Sequence, residues 1–229
     1  SVGGFSGNAY VGLTGGFGTV HLGRSYNAYD YTQDLSVRDN VFDSAFVADF
    51  NPGNTTRSAN MVKYVSPTIA GFVAVASTGL AEGAVGGKNQ NGLSVGYAAG
   101  PLAVRVGGQS AASGNAVAVA AGYNFGVASV SGGYNQLSPV SNADSTGYNL
   151  GVTVPMGAFK FSVGFAIGEE ENSAGATVSD ITQVGLGATY SLSKRTTAYV
   201  GYKDSKIENA RGVKTSGTRL YAAGVRHDF

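Results

Sequence analysis

The chain of 229 residues contains no cysteine and no tryptophan, and only 13% of its residues are charged. Without thiols it forms neither a disulfide framework nor a thiolate metal site. Soluble domains carry about 25% charged residues and about 7% glycine. With 36 glycines and so few charges, this chain is too apolar for a fully solvated surface and too glycine-rich for a helical core. Long apolar runs are missing as well: Gly, Ser or Asn interrupts every few positions, and nothing approaches the ~18 apolar residues of a spanning helix. No basic segment followed by an apolar one opens the sequence, so any signal peptide lies outside these residues. A formal net charge of +1 offers no global attraction to nucleic acid, and no such partner is expected.

What the chain does contain is 13 Tyr and 11 Phe on a near-neutral background, the balance of a wall that is apolar on one side and wet on the other. Alternating segments recur along it. Strands are expected at about 8–15, 17–25, 58–66, 70–80, 91–99, 101–110, 115–124, 127–137, 146–155, 158–168, 180–192, 196–207 and 217–229. Most have the nine to eleven residues, roughly, of a tilted spanning strand. Very short connectors alternate with longer ones. The short ones are Gly15-Gly16, Ser66-Pro67-Thr68, Gly100-Pro101, Asn124-Phe125-Gly126, Pro155-Met156-Gly157 and Ser193-Lys194-Arg195. Longer polar ones run over 81–90, 138–145 and 169–179. Transmembrane barrels alternate tight periplasmic turns with longer outer loops in this way.

Successive side chains of a strand point to opposite faces. From 158 onward, Phe159, Phe161, Val163 and Phe165 share one face, and Lys160, Ser162 and Gly164 the other. Leu102, Val104 and Val106 likewise oppose Ala103, Arg105 and Gly107. A cation on the lipid face at midplane costs about 2–4 kcal/mol, which assigns Arg105 and Lys160 to the lumen. A soluble antiparallel sandwich shows the same alternation. Against it stand the aromatics at strand ends (Tyr64, Phe72, Tyr97, Tyr123, Phe125, Tyr134, Tyr148, Phe159, Tyr190, Tyr199, Tyr202, Tyr221 and Phe229), which suit interfacial girdles. The small residues opposite them cannot fill a dry core. The fold expected is all-β, a transmembrane antiparallel β-barrel.

Three stretches carry a family resemblance. The final Arg219-Leu-Tyr-Ala-Ala-Gly-Val-Arg-His-Asp-Phe229 places Tyr221, Ala223, Val225, His227 and Phe229 in one parity. It resembles the terminal strand of Gram-negative outer-membrane proteins, where the last aromatic serves recognition by the barrel-assembly machinery; Tyr221 and Phe229 would be that assembly signature. The stretch Ala9-Tyr-Val-Gly-Leu-Thr-Gly-Gly-Phe-Gly-Thr-Val-His-Leu-Gly-Arg24 looks like the hairpin before the constriction loop of the neisserial and Burkholderia-type general porins. Arg57-Ser-Ala-Asn-Met-Val-Lys-Tyr-Val-Ser-Pro67, followed by Gly71-Phe72, looks like the strand and turn after it.

The resemblance implies one outer-membrane barrel domain over 1–229, and a loop over 25–56 folded inward to narrow the pore. It implies a homotrimer among outer-membrane lipid and lipopolysaccharide, passing small ions and solutes passively. The family begins with further strands, and the parity of the turns also asks for an odd number more; three would complete roughly sixteen. The chain is therefore expected to lack its N-terminal strands.

In such porins acidic loop residues face a basic wall. The loop here supplies Asp30, Asp34, Asp39, Asp43 and Asp49 with Arg38, and the wall Arg24, Arg57, Lys63 and Arg105, with Lys160 and Arg226 on the same inferred face. Arg57 and Lys63 share a parity in a regular strand. The alternative for each is a bond to loop backbone or a neighbouring strand. A mild anion preference is expected. Tyr26, Tyr29, Tyr31, Phe42, Phe46 and Phe50 either line a solute track or pack the loop on the wall, and Asn51-Pro52-Gly53-Asn54 turns the chain back.

Enzyme readings find little. His21 and His227 are the only histidines, and no Ser sits in a Gly-x-Ser-x-Gly elbow. Gly83 to Gly87 lacks the helix that would make a phosphate loop. Glu169-Glu170-Glu171 reads as a solvated loop tip, the alternative being divalent ions or lipopolysaccharide. No cofactor and no metal are expected, and a barrel enzyme or adhesin acting through its outer loops is the alternative function.

Overall fold

The computed structural model describes residues 7–36, 57–81, 87–140 and 144–228. Within them thirteen strands form a single sheet in sequence order, each antiparallel to the next and with no crossover. They are β1 (Ala9–Gly15), β2 (Gly18–Tyr26), β3 (Arg57–Val65), β4 (Phe72–Gly79), β5 (Gln90–Ala99), β6 (Leu102–Ala111) and β7 (Gly114–Asn124). They continue with β8 (Ser129–Pro139), β9 (Ser145–Met156), β10 (Phe159–Glu171), β11 (Thr177–Ser191), β12 (Thr196–Asn209) and β13 (Lys214–His227). Every expected strand is present. One helix, α1 (Ala28–Ser36), was not expected from the sequence.

The two faces sort as the alternation requires. In β5, Leu93 and Val95 are exposed on one side while Ser94 and Gly96 are buried on the other. In β7, Ala116, Ala118 and Ala120 are buried and the intervening Val117 and Val119 exposed. The exposed apolar face continues through Leu150, Phe161, Val163, Phe165, Leu186 and Val200. Such a surface is stable only against another apolar medium. Aromatic pairs border it. Phe72 and Tyr97 stand 4.6 Å apart, Tyr123 and Phe125 4.5 Å, and Phe159 and Tyr190 4.6 Å, all beside the short turns. Tyr134 and Tyr148, 5.0 Å apart, and Tyr202 and Tyr221, 5.1 Å apart, form a second row nearer the opposite rim. Tyr199 departs from the expected girdle: it pairs with Thr189 and lies over Gly224, on the inner face.

Two of the longer connectors are shortened by the strands that flank them. β10 extends to Glu171 and β11 starts at Thr177, so Glu169 and Glu170 are ladder residues paired with Asp180 and Ser179, and the expected loop tip shrinks to 172–176. β8 and β9 similarly leave only 140–144 between them.

α1 reveals the curvature of the sheet. A helix of nine residues is about 13 Å long, yet α1 lies against all of β4 to β9. Six flat strands at about 4.8 Å spacing would span roughly 24 Å. The wall therefore curls around the helix, and the concave side is the inner one.

Candidate functional site

Asn27 starts the helix. Its Oδ1 accepts the backbone N–H of Asp30 at 3.0 Å, a side-chain cap on a free first-turn donor. Its Nδ2 donates to Gln109 Oε1 of β6 at 2.8 Å, fixing the cap to the wall. Ser77 Oγ of β4 accepts the N–H of Ala28 at 2.9 Å. Ser94 of β5 donates to the carbonyl of Ala28 and accepts from Thr32 Oγ1 at 3.0 Å. The helix N-terminus thus finds its partners in wall hydroxyls and an amide.

The bed beneath α1 is made of residues with almost no side chain. Tyr29, fully buried, rests on Ala116 and Ala118 with Leu137 at the edge. Gly107 lies under Thr32 and Ser94, and a Cβ at Gly96 would stand 2.7 Å from the Tyr31 hydroxyl oxygen. The glycine excess of the sequence is in this region the space that the helix occupies. Tyr29 and Tyr31 therefore pack the loop on the wall.

Arg105 is the charged member of the bed. Its side chain is only 9% exposed; Nη1 donates to the Tyr31 carbonyl and to Asp34 Oδ2 at 3.2 Å, and the guanidinium lies 4.0 Å from the Tyr31 ring centroid. It faces inward, as expected, but beneath the helix.

The other basic residues divide by register. Lys63 pairs with His21 and Ser77 on the inner face and donates from Nζ to the Tyr26 carbonyl at 2.9 Å, within electrostatic reach of Asp30. Arg57 does not share that face. Asn60, at φ 49°, adds a residue to β3 opposite the step from Gly23 to Ser25, so the parity reverses. Arg57 pairs instead with Tyr26, stacks on its ring at 3.9 Å and donates from Nε to Asn8 Oδ1 at 3.3 Å. Arg24 has the parity of Leu22 and Val20, which is the outward one. Arg57 thus departs from the shared parity with Lys63 expected of a regular strand, and Arg24 from the basic-wall place that the porin resemblance implies.

Lys160 and Arg226 keep the inner parity, Arg226 being bonded to Asp228 at 3.0 Å. Lys203, which sequence reasoning missed, joins them: it pairs with Gly185 and Leu220 on the inner face. Its neighbour Asp204 points outward and binds Arg219 at 3.1 Å, just above the Tyr202–Tyr221 pair. Of the acidic loop residues, Asp30 and Asp34 lie on α1; Arg38, Asp39, Asp43 and Asp49 lie outside the described residues, as do Phe42, Phe46 and Phe50. In the terminal strand Tyr221 to His227 keep their common outward parity, and Phe229 lies outside the described residues.

A sequential antiparallel wall with an apolar, aromatic-bordered outer face and a polar concave face that carries a helix defines a β-barrel channel of the outer membrane. Known proteins agree. The family model described as Gram-negative porin matches residues 1–210. Outer membrane porin protein 32 of Delftia acidovorans is 27% identical over 253 residues, covering 97% of this chain and 70% of the relative. Among solved structures, the anion-selective porin from Comamonas acidovorans superposes with a TM-score of 0.75 at 23% identity, covering 98% of this chain and 78% of that one. The in-vitro folded outer membrane protein OmpT of Vibrio cholerae gives 0.73 at 19%, covering 95% and 78%. The chain belongs to the Gram-negative porin family. It is an integral outer-membrane β-barrel, a water-filled channel for passive diffusion of small hydrophilic solutes and ions, and not an enzyme.

Proposed function

We propose that this porin prefers anions, that residues 25–56 form its constriction with α1 as the docked part, and that it works as a homotrimer. One observation carries the preference. Among the described residues, the inner faces of the strands present Lys63, Arg105, Lys160, Lys203 and Arg226 against Glu170, with Asp228, just past β13, bonded to Arg226. Asp30 and Asp34 are set on α1 beside Lys63 and Arg105. Lys160 and Lys203 stand on the inner faces of β10 and β12, and among the described strand residues of β9 to β13 the acid on that face is Glu170. A water path bordered by fixed charge of one sign concentrates the opposite ion.

The name of the Comamonas porin points the same way. Outer-membrane lipid and lipopolysaccharide would meet the apolar face and the charged band above Tyr202 and Tyr221. The barrel-assembly machinery would meet the terminal strand that carries Tyr221.

The test is the reversal potential of the reconstituted full chain in a salt gradient. It should have the anion-selective sign, and replacing Lys160 and Lys203 with Ser should move it toward cations. A parent channel with the cation-selective sign overturns the reading.

A further inference from the structure

We infer that Arg105 is a positioning residue, the latch that holds the second half of α1 on the wall and so sets the width and steadiness of the channel rather than its charge preference. This rests on α1 standing in the water path, as proposed above.

The contacts of α1 fall into two groups. Its first turn is held by Ser77, Ser94 and Gln109, which reach Ala28, Thr32 and the cap Asn27, with the charge of Lys63 within reach of Asp30. Beyond Thr32, Arg105 and the packing of Leu35 over Gly122 anchor the helix to the wall. Among the described residues, the polar contacts of Arg105 go to the turn that carries Tyr31 and Asp34: a carbonyl, a carboxylate and a ring face. A planar guanidinium can meet all of these at once, whereas an ammonium is a single point of charge. The seat is cut to fit. Gly96 pairs across the ladder with Arg105, and the space of its missing side chain is taken by the Tyr31 ring, with the Arg105 stem 3.3 Å from where a Cβ would be.

The same geometry removes Arg105 from the ion path. Its side chain is 9% exposed and answered by the Asp34 carboxylate, whose own side chain is 63% exposed. An ion in the water meets the near-neutral pair, and the carboxylate first. Among the described residues α1 lies against β4 to β9, whereas Lys160 and Lys203 stand on β10 and β12.

The absence of native cysteine allows a direct test. Thr32 and Ser94 touch through their hydroxyls at 3.0 Å, so T32C/S94C can tie α1 to the wall by a disulfide without Arg105. Single-channel conductance and reversal potential are read for the full chain, for R105Q, and for R105Q/T32C/S94C oxidised and reduced. D34N, altered at an exposed position, loosens the same latch without emptying the bed, and serves if R105Q does not fold. Loss of the steady level is expected for R105Q and, more mildly, for D34N: higher conductance broken by partial closures, with the reversal potential kept on the side of the parent. Oxidation of the double cysteine should restore one steady level with Gln still at 105. The inference is overturned if R105Q or D34N keeps the steady conductance of the parent. It is equally overturned if R105Q/D34N, which removes both charges of the pair, moves the reversal potential toward cations, or if the disulfide forms and restores nothing. The sign of the reversal potential of the parent is a separate reading, so failure of the proposed anion preference shows on its own.

Discussion

Gly107 lies directly across from Ser94 in the ladder between β5 and β6, and the missing side chain of one is the room in which the hydroxyl of the other meets Thr32. The wall is hollowed where the helix rests. Even a methyl group here collides with the bonds that carry α1. Gly107→Ala should therefore lift the helix, at the ~1–3 kcal/mol typical of overpacking. Urea unfolding from lipid vesicles would show the loss, and the same substitution at Gly16, which has open space around it and no positive φ, supplies the comparison.

Asn27 has two tasks that substitution can separate. Asn27→Ala removes both the cap on Asp30 and the donor to Gln109, and should destabilise the docked helix by about 1 kcal/mol or somewhat more. Asn27→Asp keeps the cap oxygen and loses only the amide donor. It should fall between the parent and the Ala variant in the rate at which the channel closes under voltage. Equal behaviour of the two variants would mean that the Gln109 bond holds the helix and the cap does not.

Neighbouring residues on opposite faces should respond differently to the same cation. Val163 points into the lipid and Ser162 into the lumen. Val163→Arg should cost about 2–4 kcal/mol of folding free energy in vesicles. Ser162→Arg should fold nearly as the parent does and strengthen the anion preference. Equal stability losses would put the membrane on the wrong face.

The bulge at Asn60 makes a claim about Arg57. Because its parity is reversed and its guanidinium is stacked on Tyr26, Arg57→Ser should move the reversal potential less than Lys203→Ser does. Deleting the bulge residue would bring Arg57 back to the parity of Lys63, and is expected to disturb the pairing from Ser25 to Tyr26 instead.

The strands could be read from the sequence because period-two alternation and turn residues are local signals, and membrane burial on one side with water on the other leaves little to override them. Face assignments for Arg105, Lys160 and Arg226 followed from the same rule. Arg57 was misplaced because an Asn at positive φ gives no sequence warning of a bulge of the kind a Gly would. Lys203 was missed because Lys203-Asp204 puts charge on both faces at once, which hides the parity. α1 had a signal: Asn27 and Asp30 stand as cap and third helical residue, and Tyr29, Thr32 and Leu35 recur at the spacing of one helix face. It was overlooked inside a loop read as a whole. The glycines of its bed could not have been assigned beforehand, since only contact with α1 distinguishes Gly96 and Gly107 from any other strand glycine.

The strands are unequal in length: β4 has 8 residues and β11 has 15. Seven more residues (15 − 8) along a tilted strand rise by roughly 15–20 Å. Over that height the outward side chains turn from Leu186 and Val184 to Asp180, and beside it to Asp204, Lys206 and Glu208. Among the described residues the paired wall is thus low along the first strands and tall along the last, and the added height of the tall side is charged on its outward face.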